Sequence, residues 1–393
     1  MRKISADYIF PIASSPIKNG IVYVDDKGTI LDVINPANNS NHHIGVEYYK
    51  GIICPGFINS HCHLELSYLK GKLPTATGLD DFIKNIEANK QPPSASVYQA
   101  IAAAENEMLK NGIVAVGDIS NSNVSFLQKA KEYLTYHTFI ELFAFDSLKA
   151  DKTFAKGLEL LREYTAFNLK SSASITPHAP YSVSQTLLKQ ITALANQNNS
   201  LLTIHNQESK EEDKLFQFKQ GKILERLRYF GINTDLWQAT GLSALQSTLA
   251  YVPQNQKILL VHNTYTCLED IQWAQQYNAN IYWCFCPNAN LYIESTLPDI
   301  ENFITENAKI TIGTDSLASN WSLSVLDELK TIASHYHKIP LNTLLRWATK
   351  NAADFFNFPH LGSIEKGKKP GLNWVRDLNN LQLTENASVV KLI

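Results

Sequence analysis

The sequence predicts an α/β protein: a (β/α)₈ TIM barrel over residues 55–359, with a small β-sandwich built from residues 1–54 and 360–393. Three observations predict it. From Pro55 onward, short apolar runs alternate with longer amphipathic stretches, as expected where each buried parallel strand is followed by a helix. Eight such runs can be marked, which favours a closed barrel over an open sheet. Histidine or aspartate stands where five of the runs end, on the rim from which a barrel's βα loops spring.

The runs are Phe57–Asn59, Ile113–Val116, Phe139–Phe145, Ala173–Ile175, Leu201–Ile204, Ile258–Val261, Ile281–Phe285 and Ile310–Gly313. They show little alternation, because strands covered on both faces need none. Between them, Tyr98–Lys110, Thr153–Tyr164, Gln185–Ala195, Leu268–Gln276 and Val325–His335 read as helices. Upstream, Gly20–Gly28 followed by Thr29–Val33 reads as a hairpin with its turn near Asp25 to Gly28. Downstream, Lys366–Val375 and Val389–Ile393 supply short apolar pieces able to pair with the N-terminal strands. Residues 209–256 are too many for a simple loop; their charged start suggests helices that cover the site.

With 35 basic and 37 acidic residues the formal net charge is −2, so nothing calls for nucleic acid or an anionic membrane. No segment approaches the ~20 apolar residues of a membrane span, and the N-terminus lacks a signal-like apolar stretch. The cytoplasm is the expected compartment. Cys54, Cys62, Cys267, Cys284 and Cys286 are odd in number, and Cys284-Phe-Cys286 lacks the two-residue spacer of a zinc or redox pair. All five are expected to be reduced core thiols.

His61-Cys-His63 ends the first run. In a strand, residues i and i+2 project to one face, so both imidazoles can reach one ion. His335-Tyr-His337 has the same spacing inside a helical pattern, where i and i+2 point roughly 200° apart and cannot share a metal. That pair is expected on a helix surface and helix end. His42, His43, His137 and His360 end no strand and are given no site role. Further runs end in Thr176-Pro-His178, Thr203-Ile-His205, Leu260-Val-His262 and Gly313-Thr-Asp315. One strand-end histidine would ordinarily be a polar cap on a loop; five such ends on one rim set that reading aside.

Pro55-Gly-Phe-Ile-Asn-Ser-His-Cys-His-Leu-Glu65, Thr176-Pro-His-Ala-Pro-Tyr-Ser182, Ile204-His-Asn-Gln-Glu208, Leu260-Val-His-Asn263 and Gly313-Thr-Asp-Ser-Leu-Ala-Ser319 together resemble the amidohydrolase superfamily. The likeness is to its mononuclear branch of ring deaminases and chlorohydrolases, and spans almost the whole chain. It implies one divalent metal on His61, His63, His205 and Asp315, Glu208 as proton shuttle, His262 orienting the hydrolytic water and His178 contacting substrate. Three neutral imidazoles and a carboxylate suit Zn²⁺, with Fe²⁺ the alternative. Binuclear relatives carry a carboxylated lysine at the end of the fourth strand; here Thr176-Pro-His178 stands there and Lys170 lies before the strand. The chain departs from the family at Ala289, where serine is usual, and at Lys369-Pro-Gly-Leu372. No arginine lies between Arg2 and Arg162, so the carboxylate clamp of S-adenosylhomocysteine deaminases is not evident. His63-Leu-Glu-Leu-Ser67 and the long segment after Glu208 look more like aminodeoxyfutalosine deaminases.

The resemblance implies an aminohydrolase that removes an amino group as ammonia from a small nitrogen heterocycle such as an aminopurine. Alternatives are cyclic-amide hydrolysis, dechlorination, or a non-catalytic scaffold, and a homodimer is allowed for. Tyr181, Trp283 and Tyr292 lie beside the motifs, placed either to stack on a flat ring or to pack between strands and helices.

Overall fold

The computed structural model describes residues 1–38, 44–167, 171–235 and 237–393; His42, His43 and Lys170 lie outside them. Strands from both chain ends join in one mixed sheet of seven. These are β1 (Arg2–Ile9), β2 (Ile17–Lys18), β3 (Ile21–Val24), β4 (Ile30–Ile34) and β5 (Glu47–Pro55), joined by two C-terminal strands, β14 (Leu372–Arg376) and β15 (Ser388–Lys391), in the order β15-β14-β5-β1-β3-β4, with β2 on β1. The expected hairpin is β3–β4: Gly28 closes its turn with φ +79°, donating its N–H to the Asp25 carbonyl, while the Asp25 carboxylate accepts from the N–H groups of Lys27 and Thr29. Ile4, Val22, Val24, Ile53, Ile364 and Leu372 give this sheet a core of its own.

The middle of the chain forms two four-stranded parallel sheets. One contains β6 (Phe57–Cys62), β7 (Ile113–Ser120), β8 (Thr135–Leu142) and β9 (Ser172–Pro177); the other β10 (Leu202–Asn206), β11 (Ile258–His262), β12 (Ile281–Phe285) and β13 (Ile310–Ile312). β14 (Leu372–Arg376) and β15 (Ser388–Lys391) then return to the first sheet, β14 pairing antiparallel with β5. The two parallel sheets meet at both edges. The His205 N–H donates to the His178 carbonyl at 2.9 Å on one side, and the Thr314 and Asp315 N–H groups donate to the His61 carbonyl at 3.0 Å on the other. Gly313 makes the second approach feasible, since a Cβ there would lie 2.8 Å from the Cβ of His61.

All eight expected runs overlap strands. The third is displaced: β8 begins at Thr135 and stops at Leu142, short of Phe145. Its polar start escapes an apolar count because the buried His137 bonds Ser172 Oγ at 2.7 Å and Ser174 Oγ at 2.9 Å. Helices Ala95–Lys110, Ala150–Ala166, Gln185–Asn198, Leu268–Tyr277 and Val325–His335 match the periodic stretches. Four cysteines are buried thiols, but Cys267 is exposed; it precedes a helix rather than sitting in a strand, which corrects the expectation of five core thiols. Trp283 is also settled: its ring is buried in the core, 5.1 Å from that of Phe303. Among the described residues no helix is long and apolar enough to cross a membrane.

Residues 210–249 hold three helices, Lys210–Phe218, Lys222–Tyr229 and Ala244–Leu249. Their Leu215, Phe216, Ile223, Leu224 and Leu227 share a second apolar core with Leu69, Phe82, Tyr181 and Tyr292. The insertion is thereby fastened to the loops that follow β6, β9 and β12. Arg226, buried, pins it further by meeting Asp80 at 2.7 Å and lying 5.0 Å above the Tyr181 ring.

Candidate active site

Every ionisable residue singled out on the strand ends comes to one place. His61 is the fifth residue of β6 and His63 follows the strand; His205 is the last but one of β10 and His262 closes β11; Asp315 follows β13. The Nε2 of His63 lies 3.2 Å from that of His61, 3.3 Å from that of His205 and 3.4 Å from Asp315 Oδ1. His61 Nε2 is also 3.4 Å from Asp315 Oδ1. One donor atom each from His61, His205, His262 and Asp315 falls within 4.8 Å of the others.

This set fits a divalent cation on its own chemistry. His205 Nδ1 donates to the His178 carbonyl at 2.8 Å, so its Nε2 presents a lone pair to the cluster. His63 Nε2 cannot hold a proton toward both neighbouring nitrogens, and lone pairs this close repel unless a cation sits among them. Burial keeps the rings neutral: His63 is pushed down to about 3, and His205 well below the usual histidine range. Asp315 is held well below the ordinary carboxylate range, because hydrogen bonding from His61 and the surrounding imidazoles outweigh its burial. The Ser319 hydroxyl donates to Asp315 Oδ2. Glu141, His178 and His205 form a second close group, in which the His205 Nδ1 that faces Glu141 at 3.5 Å also donates to the His178 carbonyl.

Glu208 lies two residues beyond β10, buried, with Oε1 3.7 Å from His262 Nε2. Burial, then the charges of Asp315 and Glu294, raise its pKa well above the usual carboxylate range, which favours its protonated form. His262 is oriented from behind by Asn290 Oδ1, 2.9 Å from Nδ1. His178 Nδ1 bonds Ser182 Oγ at 2.7 Å, and its ring lies 4.8 Å from that of His205 and 5.9 Å from that of Tyr181. Gln207, His262 and Asp315 all take positive φ, of +42°, +70° and +57°, so the backbone turns sharply where the functional side chains leave it.

His335 and His337 are distant from all this. Each Nδ1 turns back 2.9 Å to a carbonyl four residues earlier, that of Thr331 or Ala333. His137 is a structural core residue, and His360 is exposed.

Other groups are found only in three dimensions. Asp118 and Lys129 form a fully buried ion pair beneath the site, and Asp118 Oδ1 accepts the N–H of Leu64 at 2.8 Å, fixing the loop after His63. Glu141, raised to about 8 by burial, stands 3.5 Å from His205 Nδ1. A charged residue inside an apolar run was the available signal for Asp118 and Glu141. Arg226 sits in the insertion, far along the chain from the motifs, and no motif marks it.

The chain matches the amidohydrolase family over residues 52–392. An adenosine deaminase of Helicobacter pylori is 26% identical over 339 residues, 84% of this chain and 80% of that protein. The crystal structure of H. pylori aminofutalosine deaminase in complex with methylthio-coformycin superposes with a TM-score of 0.80 at 25% identity, covering 98% of this chain and 94% of that one. That of a Xanthomonas campestris adenosine deaminase with bound zinc gives 0.71 at 24% identity, covering 95% and 84%. The chain therefore belongs to the amidohydrolase family. It is a metal-dependent hydrolase acting on carbon–nitrogen bonds other than peptide bonds, a deaminase in its mode of action.

Proposed function

We propose that this enzyme deaminates an adenosine-type nucleoside, replacing the exocyclic amino group of the purine by oxygen and releasing ammonia. In this reading the eight parallel strands form one closed barrel, residues 55–359, and the seven-stranded sheet serves as a small β-sandwich beside it. His61, His63, His205 and Asp315 hold a single ion, taken to be Zn²⁺. When bound, it lowers the pKa of a coordinated water to around 7, making a nucleophile available at neutral pH.

The observation that carries the proposal is the buried Glu208 carboxyl placed 3.7 Å from His262 at the edge of the four-donor cluster. Deamination of a purine needs a proton delivered to a ring nitrogen as the adjacent carbon becomes tetrahedral. Glu208 is the carboxyl group placed to deliver it. His262, its Nδ1 engaged by Asn290, offers a free Nε2 to the attacking water. His178 contacts the heterocycle from the β9 side, Tyr181 lies beside it, and the helical insertion keeps bulk water out. The extent of similarity to deaminases of adenosine and aminofutalosine supports a nucleoside rather than a free base.

A panel of adenosine, 5′-deoxyadenosine and 5′-methylthioadenosine tests this directly, with ammonia and product mass followed together. Ammonia with an intact ring is expected for at least one. Addition of water without ammonia would point to a cyclic-amide hydrolase, and chloride release from a chlorinated ring to a dechlorinase.

A further inference from the structure

The buried carboxylate of Glu212 has no role in the reaction described so far. It is fully buried, and among the described residues no cation pairs with it. It accepts instead three consecutive backbone N–H groups: Gln207 at 3.1 Å on Oε2, Glu208 at 2.7 Å and Ser209 at 3.3 Å on Oε1. The bond to Ser209 is the ordinary capping box of the helix Lys210–Phe218. The other two are not helix capping. They reach upstream into the link between His205 and the proton shuttle.

That link bends sharply. Gln207 has φ +42°, an unfavourable backbone for a residue with a long side chain. Its amide is tied to Asp270 at 2.7 Å and Asp213 at 3.2 Å, and its carbonyl accepts the Tyr265 N–H at 2.9 Å. With the Glu212 carboxylate on the N–H groups at either side of the Glu208 Cα and on that of Gln207, the backbone under Glu208 has no freedom to swing.

We infer that Glu212 is a positioning residue for the reaction, holding Glu208 at the angle from which it can pass a proton. The inference rests on Glu208 being the shuttle, as proposed above. The hydrogen bonds of the Glu212 carboxylate run to the backbone of Gln207, Glu208 and Ser209 and not to the donor cluster, so its effect should pass through Glu208 and appear in turnover rather than in substrate or metal binding.

The test is a double-mutant cycle on the metal-loaded full chain: Glu208→Gln, Glu212→Ala and both together, with the exposed Glu225→Gln as a control of unchanged activity. Glu212→Ala should lower kcat about 10–100-fold, the cost of displacing a catalytic group by a fraction of an ångström to an ångström. KM should stay within about threefold and metal content should be unchanged, and the double variant should fall within about threefold of Glu208→Gln alone. Normal kcat in Glu212→Ala, or a full additional loss in the double variant, would overturn the inference. Should Glu212→Ala not fold, Glu212→Gln keeps the volume and one acceptor oxygen; it should show a smaller loss of kcat with the same lack of additivity, and wild-type kcat would count against the idea. Near-normal activity of Glu208→Gln would instead sink the shuttle itself, and the positioning role with it. An inactive Glu208→Gln beside a fully active Glu212→Ala would sink only the positioning role.

Discussion

Two pairs of histidines in this chain share one spacing and nothing else. His61 and His63 lie on and just past β6, where the backbone repeats every two residues, and their Nε2 atoms approach to 3.2 Å inside a buried cluster. His335 and His337 stand at the exposed end of the helix Val325–His335. There each ring folds back onto a carbonyl of its own helix, donating from Nδ1 at 2.9 Å. In one pair the ring nitrogens face other buried donor atoms; in the other each bonds a carbonyl of its own last helical turns. Histidine spacing therefore carries chemical meaning only with the period of the backbone beneath it.

The largest expected effects lie on the strand side of this contrast. His61→Ala and His63→Ala should each lose metal and lower activity by more than about 100-fold, exceeding the usual cost of losing a residue that only hydrogen-bonds to a metal-binding side chain. His335→Ala and His337→Ala should retain full metal content. Metal loss in either helix variant, measured by elemental analysis of purified protein, would break the comparison.

Next comes chemistry without metal loss. Glu208→Gln should keep its metal while kcat falls roughly 10²–10⁴-fold, as when a general acid–base group is removed. Glu211→Gln, three residues along and partly exposed, should turn over normally. A reversal of the two would move the shuttle into the insertion.

The helix that carries His335 offers a smaller test at its other end. Glu328 is fully buried, accepting the N–H of Asn288 at 2.8 Å and the side-chain amide of Asn320 at 2.7 Å, and burial pushes its pKa up to about 8. The folded state thus keeps a proton that the unfolded chain releases near the ordinary 4.5, and this contribution to stability is lost as pH rises from about 4.5 to about 8. Urea unfolding across that window should slope downward for the wild type and less steeply for Glu328→Gln. Equal slopes would mean that the carboxyl is already ionised in the fold.

The smallest effect belongs to the helix-end histidines themselves. His335→Ala should cost no more than about 1 kcal/mol of stability, through loss of its bond to the Thr331 carbonyl. No change in activity should accompany it.

Much of this was legible in the sequence for physical reasons. Buried parallel strands announce themselves as apolar runs, and His61, His63, His178, His205, His262 and Asp315 each stand at the end of one, so finding the strands located the site. What stayed hidden was polar structure satisfied across strands. Thr135–Thr138 looked too polar for a core strand because the partners of His137, Ser172 and Ser174, lie on β9. Asp118 and Lys129 neutralise each other out of water, a pairing that only the fold brings about. Arg226 and Glu212 acquire their surroundings from the way the insertion packs back over the strand ends. Cys267 was misjudged as a core thiol because its apolar neighbours belong to the first turn of a helix, not to a strand.

The measurement that tests the central claim most directly is metal add-back. The purified protein is stripped with a chelator, then titrated with Zn²⁺ while ammonia release from an adenosine-type nucleoside is followed. Ammonia release should be absent in the stripped protein and should saturate at one Zn²⁺ per chain, because His61, His63, His205 and Asp315 offer one complete donor set. Saturation only at two ions per chain, or ammonia release that persists without metal, would contradict the account.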